Sequence, residues 1–313
     1  MITMSTEEER LPTSDLVDAV ETALQARGVA WRSPHAGLSD AQRFVVTLPD
    51  GSSVFVKAAV DDQTQQWLET ELAAMSAARD FAPEVIAVTA AAGRPVLVTE
   101  SLHDRAYWPA GVFETPGGGG QEVLWKPGHV ERLFDALDRL AKVTPPPVLP
   151  PLESVYRPQW ELISEEPDRF HALGLAGPGW LDSALPELVA AEKALDLRGA
   201  TFVHGDVRSD NVCFLEDKVV LVDWSDASRG AGGFDLANLV QGLPLEGGPD
   251  PQDVLPDAAP FAAWRAGEMV NRAAEPAPSW LVNVFKRLAL INLHWVSAAR
   301  GLPVADLRDW RSI

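Results

Sequence analysis

Several common residue patterns are missing from this sequence. It contains a single cysteine, Cys213, so it can form neither an internal disulfide nor a zinc site built from several cysteines. It has no run of about 18 apolar residues, the length that a membrane-spanning helix needs. The first ten residues contain three glutamates where a signal peptide would carry Lys or Arg. These absences predict a cytoplasmic protein with no membrane partner.

Basic residues are also scarce. The chain has 26 Lys and Arg against 45 Asp and Glu, which gives a net charge of -19. Because nucleic acid must be met by a basic surface, this balance excludes it as an expected partner. The excess is densest between residues 201 and 260, where eleven acids accompany only three bases. Acidic surface commonly keeps a protein soluble, which is the simplest explanation of the excess elsewhere.

The composition that remains is that of an ordinary globular protein. Of the 313 residues, 46% are hydrophobic and 23% are charged, and this length corresponds to about two domains. In the first third, β-rich segments at 43–48 and 53–57 flank a Pro-Asp-Gly turn, which predicts a hairpin. A helical pattern at 65–79 and short strands at 85–88 and 95–99 follow, so we expect a small antiparallel sheet with an inserted helix.

Beyond Ser101 the pattern becomes mainly helical. A run of four glycines at 117–120 predicts a loop, since glycine has no side chain to bury. Amphipathic or apolar helical patterns occupy most of the remainder, with no internal repeat. The predicted helices are 129–143, 160–170, 185–195, 261–272 and 279–300.

One segment concentrates residues that can carry chemistry. His204, Gly205 and Asp206 follow a short apolar run, Asn211 comes five residues after the aspartate, and two further β-rich segments end at Asp223. Carboxylate and amide oxygens suit Mg²⁺, which takes the rest of its ligands from water and nucleotide phosphates. The segment therefore predicts a phosphoryl-transfer site.

In this segment the sequence resembles the aminoglycoside phosphotransferase and choline kinase type of small-molecule kinases. Their motif, His-Gly-Asp, four residues and Asn, is matched at 204–211, and the resemblance extends over about residues 35–300. It implies an α+β, bilobal, protein-kinase-like fold. Residues 1–102 would form an antiparallel-sheet lobe that binds nucleotide, and residues 103–313 a mostly helical lobe for catalysis and acceptor binding.

The resemblance also implies a role for each motif residue. Asp206 would either orient the acceptor hydroxyl or both orient and deprotonate it. Asn211 and Asp223 would hold Mg²⁺. Arg208 would neutralise charge on the γ-phosphoryl group, or it is a surface arginine that pairs with Asp210.

The nucleotide-binding residues follow from the same resemblance. Lys57 would contact the α- and β-phosphates, with a helix glutamate as its partner. Glu69 and Glu71 are two residues apart and cannot share a helix face, and Glu71 is favoured. The segment from Glu100 to Leu102 would bind the base of ATP, with GTP as the alternative.

Two residues are expected to support the catalytic loop, and two features depart from protein kinases. His204 would pack beneath the loop and Asp235 would brace it. No Gly-x-Gly-x-x-Gly stands over the phosphates, where residues 37–43 occur instead. Trp224 follows the metal-binding aspartate, a feature typical of small-molecule kinases.

The acidic residues between 201 and 260 that have no role in the motif suggest the kind of acceptor. Asp226 and Glu246 would help to line a pocket for an amine-bearing alcohol, such as an aminoglycoside or amino sugar, unless they lie in acidic loops with no ligand role. Trp264 and Trp295 could wall that pocket, although aromatic residues at helical spacing are more often core.

The sequence therefore predicts a Mg²⁺-dependent kinase of a small molecule. The alternatives are a catalytically silent nucleotide-binding pseudokinase, a kinase of a non-cationic metabolite, and a metal-dependent hydrolase that uses His204 and Asp206 as ligands. The sequence pattern is the same for an enzyme of antibiotic resistance and for one of ordinary metabolism, and it contains no indicator of oligomeric state.

Overall fold

The computed structural model describes residues 11–34, 40–110 and 125–313. The glycine run at 117–120 and residues 37–39 of the segment predicted to stand over the phosphates lie outside these ranges. The chain forms two compact units, one of Met1–Pro150 with Ala200–Arg229 and one of Pro151–Gly199 with Gly230–Ile313. The assignment of nucleotide binding to residues 1–102 and of catalysis and acceptor binding to residues 103–313 concerns function and stays a prediction.

The first unit contains a five-stranded antiparallel sheet in the order β1-β2-β3-β5-β4. The predicted hairpin is its β2–β3 pair, whose turn uses Gly51 at a φ of 84° and a bond from the Ser52 N–H to Asp50. The strands are β1 (Ala30–Arg32), β2 (Gln42–Thr47), β3 (Ser53–Ala58), β4 (Val85–Ala91) and β5 (Arg94–Glu100).

Helix α1 (Ser14–Leu24) covers one side of this sheet with an apolar stripe. Leu16 and Val20 are four residues apart, so they share a helix face, and both are buried against alternate residues of the strands. Phe44 is 1% exposed and stacks edge-on against Trp31, with ring centroids 5.5 Å apart. This cluster is the apolar core beneath the strand that carries Lys57.

Helix α2 (Asp62–Ala77) is inserted between β3 and β4, as the sequence predicted. Its first turn is fixed by a capping box in which Asp61 and Thr64 bond each other's backbone N–H groups. Leu68, Glu71 and Met75 are spaced by three and four residues and are buried together. The helix therefore presents one buried carboxylate among apolar neighbours.

The rest of the first unit consists of one helix and two short strand pairs. Helix α3 (His129–Leu140) packs against β8, and β7 pairs with β8 in a hairpin. β6 pairs with β9, the strand at which the first unit ends. The strands are β6 (Thr201–Val203), β7 (Val212–Phe214), β8 (Val219–Leu221) and β9 (Ser228–Gly230).

The second unit is helical. Trp160, Trp264 and Trp295 are at most 4% exposed and lie in its core. The pattern at 160–170 forms two helices because Pro167 cannot donate the N–H that a continuous helix needs. The helices are α4 (Trp160–Glu165), α5 (Pro167–Leu173), α6 (Trp180–Lys193), α7 (Phe234–Val240), α8 (Pro251–Val254), α9 (Ala259–Ala274) and α10 (Ser279–Arg300).

These elements confirm the predicted α+β class. In the ranges that the structure describes, no helix combines the length and apolar character that crossing a membrane requires.

Replacing Phe44 with alanine should lower the free energy of unfolding by about 3 to 5 kcal/mol, because it leaves a cavity among packed side chains. Urea unfolding of the purified protein measures this. Ile86→Ala, on edge strand β4 with 45% of its surface exposed, is the matched control and should change stability by less than about 0.5 kcal/mol. Equal losses in the two variants would contradict the assigned core.

Candidate active site

Lys57 in β3 is a buried cation held by two carboxylates. Its Nζ atom lies 2.6 Å from Glu71 Oε2 and 2.8 Å from Asp223 Oδ1. The Lys57 and Glu71 side chains are each 7% exposed. Glu69 is on the exposed side of α2 and bonds Gln65, so Glu71 is the helix glutamate that meets the lysine.

The pairing sets the charge states of both acid and base. Burial alone would lower the pKa of Lys57, but the charges of Glu71 and Asp223 outweigh it and raise that pKa. Burial would raise the pKa of Asp223, yet Lys57, with help from Arg43, lowers it to about 2. Lys57 and Asp223 are therefore both charged at neutral pH.

His204 follows strand β6 and is fully buried. Its Nδ1 accepts from the Asp206 N–H at 3.3 Å, and its Nε2 lies 3.2 Å from the Val222 carbonyl oxygen. These contacts define the tautomer with the proton on Nε2, which donates to that carbonyl. The centroid of its ring lies 4.4 Å from the centroid of the Trp224 ring. This geometry is that of a structural residue that links the two segments of the motif.

Gly205 occupies a position where no larger residue fits. Its φ is 91°, in the region that L side chains rarely adopt, and a Cβ atom built there would lie 2.4 Å from the Asp226 carbonyl oxygen. The tight turn brings the catalytic loop against the segment after β8.

Asn211 joins the predicted catalytic and metal-binding aspartates. It ends a 3₁₀ turn (Ser209–Asn211), and its Nδ2 donates to Asp206 Oδ2 at 2.9 Å and to the Asp206 carbonyl at 3.0 Å. Its own carbonyl accepts from the Val222 N–H at 2.9 Å. Asp223, next in the chain, has a φ of 62°, a strained backbone conformation of the kind found at functional sites.

The residues fit a magnesium ion that shares its shell with phosphates. Asp223 uses Oδ1 to bind Lys57 and Ser225, and Asn211 uses its amide nitrogen to bind Asp206. Within the described ranges, Asp223 Oδ2 and Asn211 Oδ1 receive no hydrogen bond, so these two hard oxygens remain for a cation. In the same ranges no three His, Cys, Asp or Glu side chains form a metal cluster, so protein carboxylates and imidazoles alone would not complete a shell.

Arg208 is half exposed and lies between two carboxylates. Its Nε is 2.9 Å from Asp210 Oδ1 and 3.3 Å from Asp206 Oδ2. The pairing with Asp210, which the sequence left open, is therefore present. Burial raises the pKa of Asp210, and Asp206 adds to the rise against the opposing charge of Arg208.

Asp226 ends the 3₁₀ turn that follows Asp223 (Trp224–Asp226) and is exposed. The partial burial of its carboxyl group and the charges of Asp206 and Asp223 raise its pKa. The acid therefore lies in a field of like charge, which a cation would relieve.

A pocket in the first unit joins these residues to the predicted base-binding segment. Its lining includes Lys57, Glu71, Asn211 and Asp223, and also Glu100 and Leu102. Thr99 and Trp108 line it too, and both were missed from the sequence. Thr99 could have been found because it comes directly before the predicted base-binding segment, which begins at Glu100. Trp108 belongs to no motif.

Two predicted residues belong to the second unit. Asp235 is buried in the first turn of α7, and Glu246 ends the 3₁₀ turn Leu243–Glu246. Their predicted roles, bracing the catalytic loop and lining the acceptor pocket, stay predictions.

The fold and this group of residues are those of a kinase-like phosphotransferase. The family model for the phosphotransferase enzyme family matches residues 31–270, so the chain belongs to this family. The resemblance drawn from the motif is thereby confirmed. No curated protein sequence matches the chain.

Solved structures support the fold at low sequence identity. Spectinomycin phosphotransferase in complex with ADP and spectinomycin is 12% identical with a TM-score of 0.57, covering 94% of this chain and 95% of its own. An aminoglycoside phosphotransferase from Alicyclobacillus acidocaldarius is 12% identical with a TM-score of 0.53, covering 96% and 98%. The GDP and kanamycin complex of APH(2″)-IIIa is 12% identical with a TM-score of 0.52, covering 91% and 95%.

The opposite pKa shifts of two neighbouring acids predict opposite effects of removing their charge. Asp223→Asn should lower the free energy of unfolding at pH 7, because the folded state holds this carboxylate ionised. That loss should shrink as the pH falls from 3.8 towards about 2, where the native carboxylate becomes protonated as well.

Asp226→Asn should instead raise the free energy of unfolding at pH 7, since its raised pKa shows that the charged form is disfavoured in the folded state. The gain should vanish below pH 3.8, where both folded and unfolded forms are protonated. Urea unfolding across this pH range measures both variants. A change of the same sign in the free energy of unfolding of both variants would contradict the assigned electrostatics.

Proposed function

We propose that this protein transfers the γ-phosphoryl group of ATP, or of GTP, to a hydroxyl group of a small molecule, with Mg²⁺ as cofactor. The observation that carries the proposal is one connected set of side chains in the first unit. Lys57 joins Glu71 to Asp223, and Asn211 joins the segment of Asp223 to Asp206. Phosphoryl transfer depends mainly on positioning and electrostatic stabilisation, which such a set provides.

The nucleotide would lie in the pocket of the first unit. Lys57 would contact its phosphates from one end, and the segment from Glu100 to Leu102 would meet the base at the other. Phe55 and Leu97, also in the lining, offer apolar surface for a purine. Two of the similar structures were solved with ADP or GDP, in agreement with nucleotide use.

Magnesium would be held by Asp223 and Asn211 and, when bound, would neutralise charge on the phosphates. Lys57 fixes the Asp223 carboxylate through one oxygen and leaves the other for the metal. Because Lys57 is one positive charge against the two carboxylates of Glu71 and Asp223, the positive charge that attracts the nucleotide would come from the metal.

Asp206 is suited to orient the attacking hydroxyl. Asn211 and Arg208 both contact its Oδ2 atom. In the ranges described, its Oδ1 atom has no hydrogen-bond or ion-pair partner, so this oxygen would accept the proton of the acceptor hydroxyl. Arg208 would turn from the carboxylates towards the γ-phosphoryl group as negative charge develops there.

The acceptor is proposed to be an amine-bearing alcohol. Asp206 and Asp210 pair with the Arg208 guanidinium, and Asp226 is a further carboxylate near it. Burial, and then the neighbouring carboxylates, raise the pKa values of Asp210 and Asp226. A cationic amine would offset the repulsion. Spectinomycin and kanamycin are present in two of the similar structures.

A screen for ADP or GDP release across aminoglycosides, amino sugars, choline-like amines and neutral sugars tests the acceptor. We expect turnover with an amine, and a several-fold higher KM for that amine in Asp226→Asn with little change in kcat. A neutral sugar or hydroxy acid as the only acceptor would contradict the cationic pocket. Nucleotide binding without any phosphorylated product would instead favour a pseudokinase.

Replacing Asp206 with asparagine should lower kcat by about 10² to 10⁴-fold, the usual contribution of a catalytic base. The Kd for the Mg²⁺ complex of a non-hydrolysable ATP analogue, measured by calorimetry, should stay within about twofold of the native value. Asp206 contacts neither Lys57 nor the segment that is predicted to bind the base. Asp217→Asn, an exposed acid in the β7–β8 turn, is the control and should retain full activity. Unimpaired turnover by Asp206→Asn would remove this residue from its role.

A further inference from the structure

The carbonyl oxygen of Leu102, in the predicted base-binding segment, is already surrounded by donors. The backbone N–H groups of Ala106 and Arg105 approach it at 3.1 and 3.4 Å, and the indole Nε1 of Trp108 donates to it at 3.3 Å. A carbonyl oxygen has two lone pairs. The two nearest donors, the Ala106 N–H and the Trp108 indole, occupy both lone pairs, while the Arg105 N–H lies at the longest distance, so the carbonyl cannot accept another hydrogen bond as long as the indole is present.

The backbone N–H of Leu102, in contrast to its carbonyl, is available for a hydrogen bond. In the described ranges no acceptor lies within hydrogen-bond distance of the Leu102 N–H, although the residue is 5% exposed and lines the nucleotide pocket. Leu102 thus presents one available donor and one covered acceptor at the pocket.

Packing holds Trp108 in this position independently of its hydrogen bond. Its ring packs against an apolar cluster of Leu102, Cys213 and Val220. The preceding residue, Tyr107, exchanges two backbone hydrogen bonds with Phe214 of β7, each 2.9 Å long. The indole N–H is therefore fixed against the carbonyl by strand pairing and by buried surface.

The two purine bases differ in what they need from such a residue. Adenine presents N1, an acceptor, which pairs with a backbone N–H. Guanine presents N1–H, a donor, beside O6, so a guanine that accepts at O6 must also find an acceptor for N1–H. A site with a covered carbonyl leaves that donor unpaired, which is costly in a buried pocket.

We propose that Trp108 is a specificity-determining residue that favours adenine over guanine nucleotides by covering the Leu102 carbonyl. This inference rests on the proposed function, which leaves ATP and GTP open, and it assigns ATP as the donor.

Calorimetric titration with the Mg²⁺ complexes of non-hydrolysable ATP and GTP analogues tests the inference without an acceptor. The native chain should bind the adenine analogue at least about tenfold more tightly. Trp108→Phe keeps the aromatic ring but removes the indole N–H, and should reduce this preference by about tenfold, chiefly through tighter binding of the guanine analogue.

Trp31→Phe is the matched control, because Trp31 packs on Phe44 and does not line the pocket. It should leave the preference unchanged, and thermal unfolding should show that both variants are folded. Equal binding of the two analogues by the native chain, or an unchanged preference in folded Trp108→Phe, would overturn the role of Trp108 alone. Failure of the native chain to bind either analogue would overturn the proposed function itself.

Discussion

The buried ammonium group of Lys57 is the constraint on which the site depends. An unpaired charge at 7% exposure would be too costly to keep, so the fold must supply carboxylates to it. Glu71 is supplied by a capped helix 14 residues later, and Asp223 by a segment 166 residues away. One cation thereby fixes the helix inserted in the sheet and the turn after β8 relative to a single strand.

The consequences of this pairing extend to the catalytic loop through backbone bonds. The residue before Asp223 donates its N–H to Asn211 and accepts from His204 through its carbonyl. Asn211 in turn positions the Asp206 carboxylate. The predicted metal-binding carboxylate of Asp223 and the predicted acceptor-orienting carboxylate of Asp206 are therefore connected by one series of hydrogen bonds, so a change at Lys57 would affect both.

The sequence predicted what depends on local pattern. The motif spacing predicted which residues lie together around Asp206, and the helix period distinguished Glu71 from Glu69 because only one face of α2 is buried. The break at Pro167 was missed, although the missing N–H of proline was the available signal. Trp108 could not have been found, because its partner is a backbone carbonyl, and backbone groups carry no side-chain identity that a motif could record.

The net charge of -19 has acquired a more specific meaning. Asp223 and Asp226 are three residues apart and carry the same formal charge, yet a lysine lowers the pKa of Asp223 against the effect of burial, whereas burial and then neighbouring carboxylates raise the pKa of Asp226. The first acid already has its counter-charge within the protein, which agrees with its proposed place on the nucleotide side of the site. The second has carboxylates as its main charged neighbours, so any cation that stabilises it must come largely from a ligand. Distribution of charge around individual acids, more than its total, is what makes a cationic acceptor the better proposal.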